Sequence, residues 1–117
     1  MIRVIVALGV SLVILVAAST ERGKQAFEKR CTSCHALDHL KAGPRLRGIV
    51  GRAAAHDPDF QYSDALKRTR LVWDEGALDK WLADPETVAP GNDMPFRLDN
   101  ASERAEIIAY LKQLGGK

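Results

Sequence analysis

Both cysteines of this chain lie in one five-residue stretch, Cys31-Thr32-Ser33-Cys34-His35. Thiols at this spacing, followed directly by a histidine, are what covalent attachment of a c-type haem requires. Each thiol can add to one haem vinyl group, and the neutral imidazole that follows is a suitable axial ligand to the iron. The motif therefore predicts one haem bound through Cys31 and Cys34, with His35 as the proximal metal ligand.

Three other uses of the cysteine pair remain as alternatives. A dithiol redox site of the thioredoxin type belongs beside a βαβ pattern, and the sequence contains none. A disulfide would close so short a ring that it would restrict the unfolded chain little. A structural zinc site needs four ligands at recognisable spacing, but only His35, His39 and His56 are available, without a second CxxC or an HxxxH pair.

The first nineteen residues have the features of an export segment. Arg3 precedes Val4–Ala18, fifteen residues without a charge, and small residues then follow where a signal peptidase would cut. The apolar run is shorter than the roughly 20 residues that span a bilayer, although an uncleaved anchor remains an alternative. We predict that residues 1–19 are a signal peptide or an N-terminal membrane anchor. Residues 20–117 then form a single domain in the periplasm or an equivalent compartment.

The charge balance argues against nucleic acid as a partner. Removal of residues 1–19 changes the formal net charge from +2 to +1, and haem propionates would make the domain negative. A nucleic-acid-binding domain needs a basic stripe, and its aromatic residues form a stacking platform, whereas the few aromatic residues here are scattered.

The pattern of residues 20–117 predicts an all-α domain with long loops. Helices are expected at Thr20–Arg30, from Ser63 through Lys67, from the capping residue Asp74 to Pro85, and from Asn100 or Ser102 to Gly115. The glycines and prolines of Leu40–His56 and Thr87–Leu98 predict loops, and no strand pattern is present. Loops of this length are explained by a bound cofactor better than by a core of side chains alone.

Met94 is the candidate for the second axial ligand. Apart from the initiator it is the only methionine, and it lies in the stiff run Pro90–Phe96. The competing interpretation is a methionine that fills a gap in the core. His39 and His56 are rival ligands. However, His39 is only four residues past His35 and would not easily reach the opposite haem face, and His56 is expected to be a surface loop residue.

Four further runs follow the CxxCH motif along the chain: Gly43–Arg52, Phe60–Ala65, Pro90–Met94 and Ile108–Lys112. Together with Cys31–His35 they resemble class I cytochrome c, in the branch that contains mitochondrial cytochrome c and bacterial cytochrome c2. The likeness covers essentially all of residues 20–117. It implies the cytochrome c fold, in which small helices and long loops wrap around one covalently bound haem. It also implies electron transfer, not enzymatic catalysis.

The resemblance also implies roles for residues around the haem. The Pro44 carbonyl would accept a hydrogen bond from the His35 ring. Arg52, Tyr62 and Trp73 would hold a buried haem propionate, which would otherwise be a costly unpaired charge.

On the methionine side, Trp81 would line the haem where relatives often carry tyrosine. The phenol hydroxyl that usually donates a hydrogen bond to the methionine sulfur is therefore missing, which leaves the donor to Met94 open. Leu66 replaces a polar residue of mitochondrial relatives, so a buried water network is expected to be altered. Gly23 and Phe27 would pack against Tyr110 and Leu111 where the first and last helices cross.

The implied function is a monomeric carrier with a six-coordinate His35/Met94 iron. A quinol-oxidising complex or a dehydrogenase would be its electron donor, and an oxidase, a reductase or a photosynthetic centre its acceptor. If residues 1–19 were retained, the carrier would be restricted to partners at the membrane. The alternatives are a haem peroxidase or small-ligand-binding protein with a labile Met94, and a cytochrome subunit fixed in a larger enzyme.

The charges near the haem edge depart from the lysine ring of mitochondrial relatives. Basic side chains remain at Lys29, Arg30 and Lys41, but acidic side chains accompany the methionine loop at Asp84, Glu86 and Asp93. We therefore expect weak electrostatic steering of the partner, so that association slows only gently as salt rises.

Overall fold

The computed structural model describes residues 18–115, which form five helices and the loops between them. The helices are α1 (18–30), α2 (Asp64–Thr69), α3 (Glu75–Ala83), α4 (Pro85–Val88) and α5 (Ala101–Gln113). In this range the backbone forms no strand, and Ala53 and Val72 make an isolated antiparallel bridge. The prediction of an all-α domain is therefore confirmed.

The predicted signal or anchor segment lies outside the described residues, apart from Ala18 and Ser19, which are helical. None of the helices within residues 18–115 is long and apolar enough to cross a membrane.

Side-chain caps fix where three of the helices begin. Each cap accepts a hydrogen bond from a backbone N–H in the first turn: Ser63 from Leu66 at 3.1 Å, Asp74 from Ala77 at 2.8 Å, and Asn100 from Glu103 at 3.0 Å. These bonds satisfy donors that have no partner within the helix. The predicted starts therefore agree with the structure, while α2 continues two residues beyond the predicted end, to Thr69.

The helix predicted to end at Pro85 does end before it, at Ala83, but Pro85 begins a further short helix that was not predicted. Asp84 ends α3 and also caps α4, because its side chain accepts a hydrogen bond from the Glu86 N–H at 3.2 Å. Proline is well suited to the first position of a helix, where its missing N–H needs no partner. The predicted loop at Thr87–Leu98 consequently begins only after Val88.

The crossing of α1 over α5 depends on the absence of a side chain at Gly23. A Cβ atom built there would lie 2.1 Å from the Glu106 carbonyl oxygen and 2.9 Å from Tyr110 Cβ. One turn along α1, the ring of Phe27 packs on that of Tyr110 with 5.5 Å between centroids. The helix contact implied by the resemblance is therefore present, and Gly23 marks a close approach rather than a frayed turn.

The remaining core joins α3 to α5. Its buried side chains are Leu78, Trp81 and Leu82 of α3 and Ile107, Ile108 and Leu111 of α5. The chain that follows the methionine loop is tied to α3, because the Leu98 N–H donates to the Leu82 carbonyl at 2.9 Å. The far end of the methionine loop is thus fixed to α3.

Replacement of Gly23 by alanine tests the helix crossing. The new Cβ would meet backbone that cannot move aside cheaply, so we expect Gly23→Ala to lower the free energy of unfolding of the haem-loaded protein by about 1–3 kcal/mol. Gly76→Ala is the control, since its Cβ would meet only Asp74 Oδ1 at an ordinary 3.6 Å. That variant should be as stable as wild type or slightly more stable. Guanidinium unfolding measures both, and equal losses would contradict the assignment.

Candidate haem site

The CxxCH segment forms a tight turn directly after α1. The Cys31 N–H donates to the Phe27 carbonyl at 2.8 Å, and the His35 N–H donates to the Cys31 carbonyl at 2.8 Å. Cys31 and Cys34 are not joined in a disulfide, and Cys31 is buried whereas Cys34 is exposed. Burial raises the pKa of the Cys31 thiol to about 11, so a Cys31 thiol in the folded chain is protonated at neutral pH.

The imidazole of His35 is fixed from two sides. Its Nδ1 lies 2.9 Å from the Pro44 carbonyl oxygen, and a Cβ added to Gly43 would lie 2.3 Å from ring atom Cε1. Because Nδ1 donates to a carbonyl, the lone pair of a neutral ring resides on Nε2. Burial lowers the pKa of His35, so the ring is neutral at physiological pH and suited to bind a metal.

Gly43 is also a site residue, although the sequence indicated for it only a loop position at the start of the run Gly43–Arg52. The Gly43 N–H donates to the Cys34 carbonyl at 2.7 Å, which brings the loop against the CxxCH turn. Its missing side chain then leaves space for the flat face of the His35 ring. The signal that points to this role is its position directly before Pro44.

Met94 lies in a loop that side chains organise. Asn92 Oδ1 accepts a hydrogen bond from the Met94 N–H at 2.7 Å, and Asn92 Nδ2 donates to the Ala89 carbonyl at 3.0 Å. Glu86 Oε1 accepts from the Gly91 N–H at 2.9 Å, and Gly91 adopts the left-handed backbone conformation, with φ of +88°. The loop was expected to be stiff because prolines flank it. Hydrogen bonds from Asn92 and Glu86 also hold it in place, a role for these two residues that the sequence did not indicate.

The sulfur of Met94 has a hydrogen-bond donor even without a phenol at position 81. Trp81 Nε1 lies 3.1 Å from Met94 Sδ, so the indole N–H donates to the thioether. The Trp81 ring is buried and packs edge-on against Trp73, with 5.2 Å between ring centroids. A thioether sulfur carries two lone pairs, so one can accept this bond while the other remains for a metal. The indole thus takes the place of the phenol hydroxyl that relatives often carry.

Backbone pairing brings together two of the three candidate propionate ligands. The Trp73 N–H donates to the Arg52 carbonyl at 2.7 Å, and the Trp73 carbonyl accepts from the Gly51 N–H at 2.7 Å. The Arg52 guanidinium is held from behind, because its Nε donates to the Gly48 carbonyl at 3.0 Å. Its other nitrogens remain available for an anion.

Tyr62 is the third candidate and is buried. Its hydroxyl oxygen accepts a hydrogen bond from the Asp57 N–H at 3.1 Å, and burial raises its pKa, so the hydroxyl keeps a proton that it can donate. Asp57 itself is neutralised by Arg45 Nε at 3.0 Å. Leu66 is buried as well, so the side chain that replaces a polar residue of relatives adds apolar surface to the interior.

The rival ligands and the zinc alternative gain no support within residues 18–115. No group of three or more His, Cys, Asp or Glu side chains that could hold a metal ion occurs there. His56 was expected at the surface, but its Nδ1 is buried, with no hydrogen-bond partner among these residues. As a whole His56 is half-buried in a loop, so one face of its ring is covered while the residue remains near the surface.

These features define a c-type cytochrome: a CxxCH turn after the first helix, a buried neutral histidine with Nε2 free, and a thioether on a rigid loop. The model of the cytochrome c family matches residues 20–115. Over 105 residues the chain is 40% identical to cytochrome c2 of Rhodomicrobium vannielii, covering 86% of this chain and 83% of that protein. Over 96 residues it is 41% identical to cytochrome c type-1 of Ascaris suum, covering 80% and 86% respectively.

The solved structure of cytochrome cH from Methylobacterium extorquens is similar, with a TM-score of 0.76 at 38% sequence identity. The alignment covers 80% of this chain and 97% of that one. The chain therefore belongs to the cytochrome c family. It binds c-type haem through a CxxCH motif and carries electrons between redox partners.

Replacement of Trp81 tests the contact with the methionine sulfur. Loss of a neutral hydrogen bond costs about 1 kcal/mol, so exogenous cyanide should bind ferric Trp81→Phe about five-fold more tightly than wild type, because Met94 is then displaced more easily. Trp81→Tyr keeps a donor on a ring of related shape and should recover part of the difference. Spectral titration with cyanide measures all three proteins, and equal affinities for the Phe and Tyr variants would assign the effect to packing alone.

Proposed function

We propose that the chain is a monomeric carrier with one haem, in which His35 and Met94 are the axial ligands of the iron. The bound haem supplies a one-electron ferric/ferrous couple. The observation that supports this proposal is that hydrogen bonds position both donor atoms for a metal. The bond to Pro44 leaves His35 Nε2 free, and Trp81 and Asn92 hold Met94 in place. With both axial positions filled, the iron has no open position for a substrate, so the protein is a carrier and not an enzyme.

The rigid placement of these ligands suits electron transfer. The His35 ring is confined by Gly43 and Pro44, and Met94 by hydrogen bonds to its backbone and to its sulfur. Ligands that are held in place change position little when the iron changes charge. Methionine ligation also favours the ferrous state and raises the reduction potential.

Arg52, Tyr62 and Trp73 are proposed to hold one haem propionate. Support comes from the donors that these side chains retain after their own contacts with the protein: the free guanidinium nitrogens, the Tyr62 hydroxyl proton and the indole N–H of Trp73. A carboxylate removed from water needs such partners, since an unpaired buried charge is strongly disfavoured.

We further propose that residues 1–19 direct export and that residues 20–117 act in the periplasm. Cleavage of the segment would release the carrier, whereas retention would tether it to the inner membrane. The donor would be a quinol-oxidising complex or a dehydrogenase, and the acceptor an oxidase, a reductase or a photosynthetic centre. Encounters of this kind use small, short-lived interfaces.

The ferric absorption spectrum tests the proposed ligand pair. Protein exported together with the haem-attachment machinery should show the weak red charge-transfer band of an iron–thioether bond. Met94→Ala should abolish the band, while the neighbouring exposed change Asp93→Asn should preserve it. Haem bound without this band in the wild-type protein would contradict the proposal, and rapid azide or cyanide binding would then favour the peroxidase or ligand-binding alternative.

Removal of the haem tests how far the domain depends on it. A domain of this size has a limited core, and a haem in its centre adds a large apolar surface. We expect the Cys31→Ala/Cys34→Ala variant, purified without haem, to show little helical circular dichroism and no cooperative thermal transition. Haem-loaded wild type, prepared in parallel, should show both. A cooperative transition in the haem-free variant would contradict the expectation.

A further inference from the structure

The charges near the haem edge are not all available to a partner, because ion pairs neutralise some of them. Arg30, on the CxxCH side, pairs with Glu103 at 2.7 Å. On the methionine side, Asp84 pairs with Arg97 at 3.6 Å. These ion pairs neutralise one of the basic side chains near the CxxCH motif and one of the acidic side chains near the methionine loop.

Two cations, Lys29 and Lys41, are left on the CxxCH side, and Lys41 is the one bound to the haem-attachment turn. Its ammonium group donates to the Thr32 carbonyl, which lies between the two cysteines, and it has no carboxylate partner within residues 18–115. Cys34, two residues from Thr32, is exposed, so the thioether formed there would lie at the protein surface. Lys41 is therefore a positive charge fixed beside the place where the cofactor reaches solvent.

The anions left on the methionine side are Glu86 and Asp93. Glu86 is held in place, because its carboxylate accepts from the Gly91 N–H at 2.9 Å and from Asn92 Nδ2 at 3.4 Å. Asp93 is exposed and directly precedes Met94. Neither carboxylate forms an ion pair with the part of the chain that the structure describes, so this side carries two negative charges on an organised loop.

We propose that the docking surface of this carrier is bipolar, with Lys41 on the CxxCH side of the haem edge and Glu86 and Asp93 on the methionine side. The partner it fits is a redox protein that presents a basic group to the methionine loop and an acidic group to the Thr32–Cys34 turn. This inference rests on the proposed function, because it takes the haem edge to lie between these two sides.

Because the basic and acidic residues nearly balance, the local charged groups of the docking surface matter more than the net charge of the protein. With a formal net charge near zero, the molecule exerts little long-range attraction of one sign. Within a Debye length of the surface, about 10 Å at 0.1 M salt, the two poles still act on a partner. They would select the orientation in which the haem edge faces the partner rather than raise the rate of every encounter.

Small inorganic oxidants of opposite charge test the two poles separately. In each reaction the ferrous protein loses one electron, and either hexacyanoferrate(III) or tris(phenanthroline)cobalt(III) gains it. At about 0.1 M ionic strength, we expect Lys41→Gln to slow the anionic oxidant roughly four-fold. Asp93→Asn should slow the cationic oxidant by a similar factor, and each variant should leave the other oxidant unchanged or slightly faster.

Two exposed residues remote from the site serve as controls. Glu21 and Lys24, each replaced by glutamine, lie on α1 about 15 Å and about 10 Å before Cys31 along the helix axis. Neither should change either rate by as much as the corresponding site variant. If the control variants slow the oxidants equally, the effect reflects net charge and the bipolar surface is overturned.

Binding is measured independently of electron transfer with redox-inert paramagnetic ions. Hexacyanochromate(III) should broaden the amide resonances around Thr32 and Lys41, and tris(ethylenediamine)chromium(III) those of residues 91–93. Broadening of one common set of residues by both ions would overturn the proposal. Failure of the carrier assignment can be told apart from failure of the bipolar surface, because a protein without the iron–thioether band would be recognised before any probe is added.

Discussion

The hydrogen bond from His35 to the Pro44 carbonyl is the contact on which the site depends. It sets the tautomer that leaves Nε2 free, and it requires the loop after the CxxCH turn to fold back against that turn. The fold-back in turn requires glycine at position 43, where any side chain would occupy the space of the imidazole. One interaction thus couples the chemistry of the ligand to the path of the backbone.

The methionine side reaches rigidity by a different route. Its loop has no helix of its own beyond Val88, so side chains of Asn92 and Glu86 supply the hydrogen bonds that regular structure would provide. Because Leu98 is also tied to Leu82, the loop is anchored on α3, the helix that carries Trp81. The donor to the sulfur and the loop that presents the sulfur are therefore positioned by the same element.

The sequence predicted those features that depend on residue type and spacing. The CxxCH motif, the capping residues Asp74 and Asn100, and the apolar face of α5 each follow from local rules. Features that depend on distant contacts were not accessible. Pro85 begins a short helix because Asp84 caps it, and the Nδ1 atom of His56 is buried although the residue lies in a loop. Likewise, an indole in place of a phenol left the donor to the sulfur open until the position of Met94 Sδ was known.

The exchange of phenol for indole changes more than the identity of the donor. A phenol both donates and accepts, so it can join the methionine sulfur to a longer hydrogen-bonded chain, whereas an indole N–H only donates. Here the indole N–H donates to the sulfur, the ring packs on Trp73, and Leu66 adds an apolar side chain to the same buried core. Surroundings with few mobile dipoles rearrange little when the iron changes charge. The methionine side is therefore organised by close packing and one directed bond rather than by an extended polar network.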